Sequence, residues 1–150
     1  MVFSGQTLSI WDIDTKTEKL SFEDIIQPVL LWSFTEKGAR ELLLADGRVI
    51  RIESGKVNNI KTLTQLQLNY TQVIDVDGDE IDDIVTAASW YYLKVISPLR
   101  DEIIWSHLAG LDINALILKD INEDGKVDIL YGDGQWGSIH ALSLASADEF

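Results

Sequence analysis

Apolar and polar residues alternate along this chain in short bursts, separated at intervals of roughly ten positions by turn residues. Residues 8–14, Leu-Ser-Ile-Trp-Asp-Ile-Asp, have the period of two that a half-buried strand requires. The polar run at 14–17 breaks the pattern, and 18–22 can return as a partner strand. Residues 28–34 are rich in strand formers, with Pro28 at the start, where a missing amide donor is tolerated. Two apolar runs, 42–45 and 48–52, flank Asp46-Gly47, a strong hairpin signal. Ser54-Gly55 turns the chain again into 56–63. The order then recurs: 70–74, an acidic stretch, 83–88, 92–96, a turn at Ser97-Pro98 and 102–107. The last third repeats it with 115–118, a second acidic stretch, 128–131, a glycine-rich turn and 138–144. No segment carries a convincing helical period, so the expectation is an all-β protein.

The acidic stretches are the most distinctive element. The first, Asp75-Val-Asp-Gly-Asp-Glu-Ile-Asp-Asp83, puts carboxylates at loop positions one, three, five and nine. The second, Asp120-Ile-Asn-Glu-Asp-Gly-Lys-Val-Asp128, begins 45 positions later and keeps the pattern with Asn122 at position three. Carboxylates this dense repel one another unless a cation sits among them, and hard oxygen donors at alternate positions suit calcium. A worn third copy precedes them, in which Ser33, Thr35, Lys37 and Glu41 take the same positions, followed by Leu42-Leu43. The loop shape is kept there while most ligands are lost. An EF-hand is excluded: its twelfth position must be a bidentate Glu between helices, and here it is Thr86 or Tyr131 between strands. A repeat of 40 to 50 residues holding four strands is the signature of propeller blades.

With the residues that follow them, Ile84-Val85 and Ile129-Leu130, the two loops resemble the calcium loops of FG-GAP (VCBS-type) repeats, known from integrin α-subunit propellers and bacterial surface and secreted proteins. The resemblance covers about residues 28–144. It implies two Ca²⁺ sites: Asp75, Asp77, Asp79 and Asp83 with the backbone carbonyl of Ile81, and Asp120, Asn122, Asp124 and Asp128 with that of Lys126. The first loop departs from the family pattern at Glu80, where glycine is favoured as at Gly125, and Gly78 is expected to relieve part of the backbone demand. The implied architecture is a set of propeller blades, each a four-stranded antiparallel sheet, in an incomplete ring of about three repeats. Their expected bounds are a partial blade at 1–27, whole blades at 28–69 and 70–114, and a partial blade at 115–150, with two strands before the whole blades and three after. A chain too short to close a ring leaves open edges, which favours association with a second copy to complete it.

Composition narrows the function further. In 150 residues, 25 acidic groups oppose 12 basic ones, a formal charge of −13 that two calcium ions would reduce to −9. Such a field disfavours nucleic acid. No run of eighteen apolar residues encodes a membrane span, and no signal peptide is visible at the start. Without cysteine there is neither a disulfide nor a thiolate metal site. The stretch 132–137 formally fits G-x-G-x-x-G but leads into a strand rather than a helix, so it reads as a hairpin turn. His107 and His140 are isolated, with no nucleophile setting around them, and no enzyme is expected. Trp11, Trp32 and Trp105 lie in apolar strands and are expected in the core. Trp90, Tyr91 and Trp136 fall on equivalent hairpins, where rings can pack between blades or meet a protein or sugar.

Three functional classes follow. The first is a calcium-stabilised adhesion or interaction scaffold with a protein or carbohydrate ligand. Its expected place is extracellular, cell-surface or periplasmic. The second is an accessory domain of a secreted enzyme. The third is a calcium-free propeller of the WD40 or quinoprotein type, which 9–19 resembles as a strand-turn-strand.

Overall fold

The computed structural model describes residues 2–4, 7–23, 25, 28–32, 35, 37, 40–64, 69–88, 92–110, 112–134 and 137–143. Among these the regular structure is all strand. The order is β1 (Val2–Ser4), β2 (Thr7–Asp12), β3 (Thr17–Phe22), β4 (Pro28–Trp32), β5 (Glu41–Leu44), β6 (Arg48–Glu53) and β7 (Lys56–Thr62). It continues with β8 (Thr71–Ile74), β9 (Asp83–Ala88), β10 (Tyr92–Ser97), β11 (Glu102–Leu108), β12 (Ile113–Lys119), β13 (Asp128–Asp133) and β14 (Ile139–Ser143). They form four open antiparallel sheets, β1-β2-β3, β4-β5-β6-β7, β8-β9-β10-β11 and β12-β13-β14, each pairing strands in chain order. The short strand β1 was not expected: three residues are too few to show a period.

Local chemistry sets each hairpin. Gly47 (φ 87°) donates its amide to the Leu44 carbonyl at 3.0 Å, and Asp46 accepts the Arg48 amide at 3.2 Å, closing β5 onto β6. Ser54 and Gly55 both have positive φ, 50° and 74°, the two-residue turn whose twist matches paired strands. It sets Glu53 opposite Lys56. The β10–β11 turn is longer and ends with the Asp101 amide on the Ser97 carbonyl at 2.9 Å.

The chain divides into two compact units, Met1–Thr64 and Gln65–Phe150. In the first, Leu8 of β2 packs with Leu42 and Leu44 of β5, Ile50 of β6 and Ile25, joining the two sheets. The opposite face of β5 is buried as well, so Glu41–Leu44 lies wholly inside. In the second unit Val85 and Ala87 of β9, Leu93 and Val95 of β10, Leu116 of β12 and Ile129 and Tyr131 of β13 form one core. Each large aliphatic side chain so buried contributes roughly 1.5–3 kcal/mol. The other face of the last sheet presents Ile117 and Ile139 to solvent.

Trp11 corrects an expectation. It is 44% exposed, not in the core, because Leu8 takes the buried face of β2 and a register shift after Ile10 interrupts the alternation. Trp105 is half-buried against the second core. The side chain of Trp32 lies outside the described residues, as do Trp90, Tyr91 and Trp136.

Candidate metal centre

Both acidic stretches link the first two strands of their sheets, β8 to β9 and β12 to β13. Four backbone-amide hydrogen bonds recur in both loops. The acid that opens the second strand accepts an amide from the loop start: Val76 to Asp83 Oδ2 at 3.0 Å, and Ile121 to Asp128 Oδ2 at 3.1 Å. The first carboxylate accepts an amide five residues on, Glu80 to Asp75 at 3.0 Å and Gly125 to Asp120 at 2.9 Å. The carboxylates at position five hold the amides of Ile81 and Lys126, both at 2.8 Å. Position three holds the next amide but one, Asp79 to Asp77 at 3.2 Å and Asp124 to Asn122 at 3.0 Å. Aspartate and asparagine are the residues that bond their own backbone in this way, so the loops curl for local reasons.

The curl requires positive φ at two places in each loop. Gly78 (78°) and Glu80 (67°) supply them in the first, Glu123 (60°) and Gly125 (84°) in the second. The expected relief at Gly78 is therefore half of the answer, since Glu80 also adopts the left-handed conformation, one that costs a non-glycine residue roughly 1–2 kcal/mol. A Cβ on Gly125 would meet nothing within 4 Å. Gly125→Ala is accordingly a test of backbone alone, expected to cost about 1 kcal/mol in urea denaturation.

Among the described residues one group of acids converges. Asp75, Asp77 and Asp83 each bring a carboxylate oxygen within 4.8 Å of the others. Asp79 is not part of that group, and in the second loop the third position is an amide, Asn122, whose Nδ2 donates to Asp124 at 3.0 Å. Asp83 is buried and its Oδ1 has no hydrogen-bond partner. A buried, orphaned carboxylate oxygen beside two more acids fits a cation, which would supply the missing partner. Arg100, from the β10–β11 turn, already donates to Asp77 Oδ2 at 2.6 Å and neutralises part of the cluster. Ile81, whose carbonyl the resemblance implies as a ligand, is buried, and its counterpart Lys126 is exposed.

Burial pushes the Asp83 carboxyl up to about 7, reinforced by Asp77, Asp79 and Asp75 and opposed by the Val76 amide. Its folded pKa exceeds the ordinary carboxylate value of 3.8, so without a cation the folded loop gains stability as pH falls from above 7 towards 4. A bound cation must displace that proton. Metal binding near pH 7 is therefore expected to release protons, seen as a calorimetric heat that changes with the ionisation enthalpy of the buffer. Identical heats in PIPES and Tris would overturn this.

The two histidines sit on sheet faces. His107 stacks on Trp105 with centroids 5.9 Å apart, and His140 on Tyr131 at 4.9 Å. The worn loop offers what sequence reasoning missed: Glu41 is buried and ion-paired to Arg51 at 2.7 Å. Counting outward from Asp46-Gly47 as a two-residue turn would have set Arg51 opposite Leu42, one residue away from the observed pairing of Glu41 with Arg51.

No family model, curated protein or solved structure matches the chain.

Proposed function

We propose that the chain is a calcium-stabilised β-propeller-type module, non-catalytic, which serves as an interaction or adhesion scaffold of the FG-GAP kind. The observation that carries the metal part is Asp83, a buried acid with one oxygen on the Val76 amide and the other unsatisfied beside Asp75 and Asp77. The matching hydrogen bonds of the second loop support a second site at Asp120, Asn122, Asp124 and Asp128. An all-oxygen donor set favours a hard cation, and a flexible loop with many donors favours Ca²⁺ over Mg²⁺, which demands a tighter octahedron. The blade reading is supported by sheets that pair strands in chain order and pack face to face within each unit.

The cation's role is to neutralise the loop and fix the entry into β9 and β13, so binding and folding are linked. Calcium titration of the intact chain is expected to give two sites, with Asp83→Asn and Asp128→Asn each leaving one. Absence of binding to the intact chain would remove the calcium reading and leave a metal-free propeller of the WD40 or quinoprotein type.

A further inference from the structure

The worn loop at 33–41 joins β4 to β5 as the acidic loops join β8 to β9 and β12 to β13. At its end Glu41 occupies the place of Asp83 and Asp128: all three are buried acids at the first position of a strand. Like them, it holds a loop amide, accepting from Thr35 N at 2.9 Å on Oε2. The difference lies at the second oxygen. Asp83 Oδ1 has no partner, whereas Glu41 Oε1 accepts from the Thr35 hydroxyl at 2.5 Å and from Arg51 Nη2 at 2.7 Å. Arg51 Nη2 also reaches Thr35 Oγ1 at 3.4 Å, so the guanidinium binds the acid and the loop together.

Register explains how the arginine arrives. Glu41 pairs with Arg51 across β5 and β6, and Asp128 pairs with Ser143 across β13 and β14. Across β9 and β10 the pairing ends at Ile84 opposite Ile96, and that register continued by one residue would set Ser97 opposite Asp83. The same cross-strand position is thus Arg51, Ser97 and Ser143. Serine has no charge to offer the buried acid, and arginine carries one that is never lost. Glutamate in place of aspartate adds the methylene that brings the carboxylate to the guanidinium.

We infer that Arg51 stands in for the metal in the first loop, so that one loop is closed by the chain's own cation while the other two take theirs from solution. This rests on the calcium reading of the two acidic loops, and it makes calcium dependence local: β9 and β13 need the ion for their entry, and β5 does not.

Amide exchange of the full chain, followed by NMR in calcium chloride and in EGTA, tests it. The Val76 and Ile121 amides are expected to exchange at least about tenfold more slowly with calcium, and the Thr35 amide equally in both. In Arg51→Gln the Thr35 amide is expected to exchange at least about tenfold faster in either buffer. Calcium protection of Thr35 in the intact chain, or no effect of Arg51→Gln, overturns the inference while Val76 and Ile121 still respond. If neither of those amides responds but Arg51→Gln exposes Thr35, the calcium reading itself has failed and the pair is only a buried ion pair. Should Arg51→Gln not fold, Arg51→Lys keeps the positive charge. Thr35 protection intermediate between the intact chain and the unfolded variant supports the assignment, and protection no better than in the unfolded variant opposes it.

Discussion

Excess EGTA is expected to lower the melting temperature of the chain in calcium by roughly 10 °C or more if both proposed sites are filled. A site held at a hundred times its dissociation constant stabilises the folded state by about 2.7 kcal/mol, so two sites contribute about 5 kcal/mol. For a chain of this size each kcal/mol moves the midpoint by roughly 2–4 °C. Both proposed sites belong to the unit Gln65–Phe150, so the transition of that unit should carry the shift. Calorimetry with and without chelator measures it, and an unchanged midpoint in excess EGTA would remove the structural role of calcium.

Arg51→Met is expected to cost about 3 kcal/mol, at the lower end of the range for breaking a buried ion pair because the arginine is partly exposed. Glu41 is wholly buried, and without Arg51 its charge would lose the guanidinium that neutralises it. The variant Glu41→Gln/Arg51→Met removes both charges and should recover much of the loss. Urea denaturation of the single and double variants gives the comparison. A single variant that loses less than about 1 kcal/mol would mean that the guanidinium contributes packing and little else.

The strands were legible because their period of two is strong and their turns are chemically explicit. Asp46-Gly47 and Ser54-Gly55 specify hairpins by backbone demand alone, and Pro28 begins β4, where its lack of a donor is tolerated. What period cannot report is a strand as short as β1, or a register shift such as the one after Ile10 that accompanies an exposed Trp11. Spacing also carried the acidic loops, whose hydrogen bonds follow from aspartate chemistry within nine residues. The link between Glu41 and Arg51 was harder to see. It is a contact across two strands, visible only once the β5–β6 register is fixed.

The two acidic loops meet the same backbone demand with opposite residues. Glycine then glutamate hold the positive-φ places in one, glutamate then glycine in the other. A glutamate kept in the left-handed region is strained, yet it has fewer unbound conformations to surrender than glycine has. On the proposed calcium reading, each loop would therefore hold an affinity dial outside its proposed ligand set. Glu80→Gly or Glu123→Gly would relax the occupied loop while enlarging the ensemble of the empty one. Under the proposed calcium reading, the number and placement of glycines would thus tune how readily each loop gives up a bound ion, with every oxygen donor left in place.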